Sequence, residues 1–274
     1  MQRRNQRDPL HQKKSLSQIF LKVEWPVKRM VALLADLAVK RVIEIGPGGG
    51  VLTRALLGEG YQVTAVEKDP RFAEHLRSQA ELWESVTPGK LTVVNEDILR
   101  CNLDELLVGG AGNTALVGNI PYHISSQIIQ LGIEHVLKFQ AILVMTQLEF
   151  AARVAAKPST KDFGSLTVFA QLRAKVTMEF EVPRTCFEPV PKVDSAVMMI
   201  RPREAQLDTD ILARTEKLTR VAFSQRRKKL SNSIQTLTDG QEMASCPIDL
   251  NRRADSLAPE EFVELAEWVA SLSV

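Results

Sequence analysis

Four acids and amides in this chain stand at the ends of short apolar runs: Glu44, Glu67, Asp97 and Asn119. The first opens the stretch EIGPGGG, in which Glu44, Gly46, Gly48 and Gly50 alternate with other residues. Glycines so placed let the backbone turn sharply and approach a ligand closely. Glu67 follows about twenty residues on, where an acid can accept hydrogen bonds from two ribose hydroxyls. Asp97 can accept from the amino group of an adenine, and Ile98 beside it offers an apolar neighbour. The bland alternative for Asp97 is a helix N-cap, a place where Asp is common. Taken together, the three strand ends point to a nucleoside.

The loop argues about which nucleoside. A dinucleotide fingerprint reads GxGxxG. Here the third glycine comes one residue early and Pro47 interrupts the turn. Glu44 just before the loop would repel a pyrophosphate but suits a cationic, amino-acid-like group. S-adenosylmethionine has no phosphate and carries an ammonium and a sulfonium. The loop therefore favours S-adenosylmethionine over a nicotinamide dinucleotide; the alternative is a tight strand-to-helix turn with no ligand.

The stretch NIPY, Asn119 to Tyr122, follows an apolar run that reads as a strand beside the glycine loop. An adenine amine is a poor nucleophile because its lone pair is delocalised into the ring. The Asn119 side-chain oxygen and the Ile120 carbonyl could accept its hydrogens and aim the lone pair at a methyl group. Pro121 fixes the backbone, and Tyr122 offers a face for the base to stack on. Since a sulfonium already activates the methyl, positioning and electrostatics can supply most of the catalysis. No general base is required of the adjacent His123.

Elements that would position these residues are legible. Apolar residues recur at helical spacing from Val23 to Leu37. Strands are expected over 41–45, 62–66, 91–95, 115–119 and 141–145. Helices are expected over 51–57, 71–82 and 125–137, and again through LEFAARVAA at 148–156. The alternation predicts an α/β fold, a mostly parallel Rossmann-like sheet covered on both faces. Stretches 175–182 and 195–200 suggest an antiparallel edge hairpin. Near residue 203 strands stop and helical patterns take over. The expected organisation is a basic N-terminal segment with a cofactor lid over 1–22, a methyltransferase domain over 23–203 and a helical domain over 204–274.

The chain has 274 residues and a net charge of +2, so affinity for a polyanion must come from local patches. One patch holds Arg3, Arg4, Arg7, Lys13 and Lys14. The other holds Arg220, Arg226, Arg227, Lys228 and Lys229 with no acid among residues 220–229. Cys101, Cys186 and Cys246 are widely spaced and form no CxxC, which argues against a zinc site or a disulfide framework and suits a reducing cytoplasm. No metal is expected. The polar N-terminus lacks a secretory core, and no apolar run reaches membrane-spanning length.

At this point the chain resembles a family. The stretches KKSLSQIFL, IEIGPGGGVLT, AVEKDPR, NEDIL, VGNIPYHISS, VPRTCFEPVPKVDSAV, AFSQRRKKLSNSI and RRADSLAPEEF are similar to those of small-subunit ribosomal RNA adenine N6-dimethyltransferases, the kasugamycin-sensitivity (KsgA) type. The resemblance runs from about Lys13 to Trp268. It implies cofactor contacts at Leu21, Gly46, Glu67, Asp97 and Asn119, and a target-base pocket made by Asn119, Pro121, Tyr122 and Phe187. It also implies dimethylation of two adjacent adenosines in a hairpin loop near the 3′ end of small-subunit rRNA, within an assembling 30S-type subunit. A monomer is expected. A single-stranded loop presents such bases without opening a duplex.

There are departures. The family usually reads Gly-Gln-Asn-Phe-Leu where this chain has Ser17 and Ile19 in place of the Gly and the Asn. Ile19 would keep only backbone contacts to the cofactor. Leu148 stands where a Lys is usual. Two other readings stay open: a large-subunit rRNA adenine methyltransferase of the macrolide-resistance type, and an assembly factor without catalysis. Arg226, Arg227, Lys228 and Lys229 are expected on an RNA-contacting helix, because four consecutive cations repel one another unless an anion meets them.

Overall fold

The computed structural model describes residues 20–85, 87–107, 112–238 and 243–272. The basic N-terminal patch, Ser17 and Ile19 lie outside them. The first half of the chain alternates strands and helices: β1 (Phe20–Leu21), α1 (Trp25–Ala35), β2 (Arg41–Ile45), α2 (Val51–Gly58), β3 (Gln62–Val66), α3 (Pro70–Glu84) and β4 (Lys90–Val94). Next come α4 (Leu103–Leu106), β5 (Thr114–Asn119), α5 (Ser125–Glu134), β6 (Ala141–Gln147), α6 (Leu148–Val154) and α7 (Ser165–Arg173). The chain continues through β7 (Ala174–Val182), β8 (Phe187–Glu188), β9 (Ser195–Pro202), α8 (Thr209–Ser224), α9 (Leu230–Ser233) and α10 (Pro259–Ser271).

Local chemistry explains several boundaries. Pro70 sits in the first turn of α3, and the Asp69 carboxylate accepts from the Arg71 backbone N–H, satisfying an otherwise orphaned donor. At α10 the Glu261 carboxylate reaches back to the Ala258 N–H at 2.7 Å, and Pro259 opens the helix. Strands β2, β5 and β6 read as near-continuous apolar runs because both of their faces are buried.

Seven strands form one sheet in the order β4-β3-β2-β5-β6-β9-β7. Pairing from β4 through β6 is parallel, and β9 runs antiparallel to β6 with Ile142 opposite Ile200 and Gln147 opposite Ser195. This is the α/β sheet read from the sequence. Within this sheet the chain enters at β2, steps outward to β3 and β4, and returns on the other side of β2 with β5. The order therefore reverses between β2 and β5, where open α/β sheets leave a crevice beyond the strand ends. Ile45 pairs with Gly118 there, which sets Gly46 and Asn119 side by side. A separate two-stranded pairing joins β1 to β8, with Leu21 opposite Phe187.

The chain divides into two compact units. The first takes residues up to Leu148 and then Met178–Pro202; the second takes Glu149–Thr177 and everything from Arg203 onward. This differs from the continuous 23–203 domain read from the sequence. Residues 149–177 group with the C-terminal helices because they supply one side of a shared apolar cluster. Phe163, Val168 and Leu172 pack in it with Leu218, Ala222, Phe262 and Leu265. Arg173 on α7 also forms an ion pair with Glu216 on α8. Among the described residues no helix is long and apolar enough to cross a membrane.

Candidate active site

Where β2 ends, Gly46 has φ +60° and Gly50, just ahead of α2, has φ +79°, both in the left-handed region that favours glycine. The Gly50 N–H closes the turn on the Pro47 carbonyl at 3.0 Å. A side chain at Gly46 would meet nothing within 4 Å, so this backbone faces open space. At Gly50 a Cβ would lie 2.5 Å from the Trp83 ring; there glycine is needed to seat α3 close to the loop.

That open space is a cleft in the first unit with an empty volume of about 1340 Å³, its open mouth included. Leu21, Glu44, Gly46, Gly48, Glu67, Asp97, Ile98, Asn119, Pro121 and Tyr122 all line it. Four strand ends and the N-terminal β1 thus converge on one concavity. Phe20 also lines it, its ring centroid 5.6 Å from that of Phe72, a neighbour the sequence did not single out.

Its carboxylates differ in electrostatics. Glu44 is buried at 1% exposure, and burial pushes its carboxyl up to about 8. A 2.7 Å hydrogen bond from the Thr53 hydroxyl pulls the other way, and the negative charge of Glu67 adds to the rise. Burial also raises Glu67, against backbone N–H groups of Asp69 at 2.8 Å and Gly48 at 3.1 Å. Partial burial works against ionisation of Asp97, but the Lys68 ammonium at 2.7 Å and the Leu99 N–H outweigh it and hold the group below the usual carboxylate range. Asp97 caps a short helical turn, the bland alternative of the sequence reading, and it also lines the cleft.

Asn119 is half-buried, and its side-chain amide takes no hydrogen bond from the described residues. The Ile120 N–H is held by the Met145 carbonyl at 3.0 Å, which ties the NIPY backbone to β6. The Tyr122 hydroxyl lies 2.7 Å from Ser195 Oγ at the start of β9. Burial raises the Tyr122 phenol, and the Ser195 bond opposes the shift.

Two expectations find their residues elsewhere. Phe187 does not line the cleft: it is 1% exposed, belongs to the core of the first unit, and sits opposite Leu21 in the β1–β8 pair. Its ring is apolar and gains more from close packing than from an open wall. Likewise, the four cations 226–229 are not on a helix; they fall between α8, which ends at Ser224, and α9. Arg226 donates to the Lys161 carbonyl at 2.7 Å and the Thr160 carbonyl at 3.2 Å, and lies 3.6 Å from Asp255. Lys229 donates to Asn251 Oδ1 at 3.0 Å. Arg227 and Lys228 are exposed.

Thr53 and Ser195 were not foreseen as site residues. The signal for Thr53 was a hydroxyl on the apolar face of a short helix, beside Leu52, Leu56 and Leu57. Ser195 gave none beyond being polar at the start of an apolar strand.

Comparisons with known proteins identify the family. The model of the family described as ribosomal RNA adenine dimethylase matches residues 10–271. The chain is 38% identical over 264 residues to the ribosomal RNA small subunit methyltransferase A of Brucella suis, covering 95% of this chain and 94% of that protein. The protein of the same name from Chlorobium chlorochromatii is 36% identical over 263 residues, covering 95% of each. Among solved structures, a dimethyladenosine transferase from Plasmodium falciparum shares the fold, with TM-score 0.75 at 23% identity over 93% of this chain and 98% of that one. The 23S rRNA methyltransferase ErmE aligns with TM-score 0.66 at 28% identity over 92% of this chain and 99% of its own. With the family model matching nearly the whole of this chain and the cleft lined by the motifs of that resemblance, this chain belongs to the ribosomal RNA adenine dimethylase family.

Proposed function

We propose that this chain methylates the N6 amines of two adjacent adenosines, twice each, in a hairpin loop near the 3′ end of small-subunit rRNA, with S-adenosylmethionine as donor. The observation that carries the reading is the convergence of Gly46, Glu67, Asp97 and the NIPY loop on one cleft at the β2–β5 reversal. The residues present fit that cofactor. Open backbone at Gly46, the Glu67 carboxylate and Asp97 beside Ile98 suit an aminoacyl group, a ribose and an adenine in turn. When bound, the cofactor supplies a methyl group already activated by a sulfonium.

The chain's own residues then have distinct tasks. Asn119 and the Ile120 carbonyl accept the hydrogens of the target amine, drawing its lone pair out of the ring. Pro121 and the Ile120–Met145 bond hold that backbone still. Tyr122 supports the plane of the base, and Phe187 braces Leu21 from behind. The proton displaced from the amine leaves to water, and no group in the chain need act as its base. Arg227 and Lys228 meet RNA phosphates. The setting is an assembling small subunit in the cytoplasm, with the protein acting as a monomer.

Similarity to ErmE favours one second reading, a large-subunit RNA substrate. Labelled S-adenosylmethionine offered with undermethylated small subunits, and with large subunits in parallel, separates the two. Dimethyladenosine in small-subunit RNA alone is the expected result. Label in large-subunit RNA alone would replace the proposal with the second reading, and label in neither would remove the catalytic one.

A further inference from the structure

Two buried hydroxyl systems grip the NIPY loop, and neither takes part in the chemistry above. Ser195 is fully buried, and its Oγ lies 2.7 Å from the Tyr122 hydroxyl. Thr146 is fully buried and donates to Ser125 Oγ at 2.8 Å; Ser125 in turn donates to the Pro121 carbonyl at 3.2 Å. Ser195 stands opposite Gln147 and Thr146 opposite Ala196 in the β6–β9 register. Side chains alternate along a strand, so Ser195 and Thr146 leave opposite faces of the sheet. The loop is thus held from both faces, at the ring hydroxyl on one and the backbone carbonyl on the other.

We propose that Ser195 is a positioning residue for the target base: its hydroxyl sets the tilt of the Tyr122 ring and so the plane in which adenine presents its amine. This deepens the reading of Tyr122 as the stacking face and rests on it. The second torsion of an aromatic side chain is broad, so packing near Cβ fixes a ring's tilt only loosely. A bond at the para oxygen acts at the far end of the ring. Tyr122 is only half-buried, so water could satisfy its phenol without help. Ser195 has no such recourse, because a buried hydroxyl left without a partner costs stability. Among the described residues its one side-chain hydrogen-bond partner is Tyr122. An alanine would serve the strand as well; the serine is explained by what it holds.

The test uses the full chain labelled with 3-fluorotyrosine. Only Tyr61 and Tyr122 are tyrosines, so two fluorine resonances appear and Tyr122→Phe assigns them. In Ser195→Ala the Tyr122 resonance should move while that of Tyr61 stays. Turnover on undermethylated small subunits should fall about tenfold, with calorimetric affinity for S-adenosylmethionine unchanged, since misplacements near 1 Å cost up to about a hundredfold. Tyr122→Phe should lose a similar factor and the double variant no more than either, because the two residues act as one unit. Ser195→Cys, nearly the same size with a weaker partner atom, gives the same readouts should Ser195→Ala fold poorly. Additive losses, or an unmoved Tyr122 resonance, would overturn the proposal. Wild-type turnover by Ser195→Ala while Tyr122→Leu is inactive removes the positioning role alone. Wild-type turnover by Tyr122→Leu removes the stacking reading beneath it.

Discussion

The Thr53 hydroxyl donates to the Glu44 carboxylate across 2.7 Å, inside a site that leaves Glu44 only 1% exposed. A buried carboxyl with one neutral donor and a second acid nearby keeps its proton well above the usual range, here to about 8.

A pH dependence follows. Unfolded, Glu44 ionises near 4.5; folded, it holds its proton to about 8. Between those values the folded state binds more protons than the unfolded one, so stability falls as pH rises through that window. The stabilising contribution is complete below 4.5 and lost by the time pH passes about 8. Glu44→Gln cannot ionise and should flatten this slope, which urea unfolding at intervals from pH 5 to pH 9 would reveal. Equal slopes in both proteins would contradict the assignment.

Asn119→Ala should lower methyl transfer by a factor on the order of 10²–10³, the usual loss when one preorganised hydrogen-bonding group leaves a site. Cofactor affinity by calorimetry should change by only a few fold, because the amide's task is the target amine. Equal losses in rate and affinity would show that Asn119 merely holds the cofactor.

Asp97→Ala should weaken cofactor binding by roughly ten- to a hundredfold, in keeping with about 1.5–3 kcal/mol for a hydrogen bond to a charged group. Lys68→Ala should change it much less, since the lysine is exposed and the Leu99 N–H keeps the carboxylate in place. The comparison is read by equilibrium binding of S-adenosylmethionine to the three proteins. A larger loss from Lys68→Ala would assign the contact to the lysine.

The cations at 226–229 should divide in two. Arg227→Ala and Lys228→Ala should each lower rRNA affinity evenly across sequences and reduce the salt slope by about one. Arg226→Ala should lower the melting temperature, because Arg226 ties its segment to the carbonyls of Thr160 and Lys161. Filter binding across a salt series and a thermal melt distinguish these outcomes. A salt slope unmoved by Arg227→Ala and Lys228→Ala would remove the RNA assignment.

Much of this was written in the order of residues. Strands β2 and β3 fall where their apolar runs place them, because short β-branched runs bounded by glycine or acid admit few other structures. The cleft was legible because each chemistry-bearing residue ends a strand, and parallel strands bring their ends to one edge. Less legible was anything decided by distant packing. Phe187 lies in a proline-flanked stretch whose composition says nothing about which wall the ring will join; its partner Leu21 is far away in sequence. Ser195 and Tyr122 are separated by a whole crossover, so their bond has no local signature. The run of four cations was read as part of an RNA-contacting helix from its charge alone, but the chain leaves helical geometry at Gln225.

The second unit, made from two stretches of chain, has a consequence for recombination between relatives. A single crossover at residue 203 would join one parent's Phe163, Val168 and Leu172 to the other's Leu218, Phe262 and Leu265, mixing two sides of one interior. It would also part Arg173 from the Glu216 it was inherited with. The unit can be exchanged as a working cassette only by three junctions, after Leu148, after Thr177 and after Pro202. Viable hybrids should therefore inherit 149–177 and 203–274 from the same parent, whichever parent supplies the strands between them.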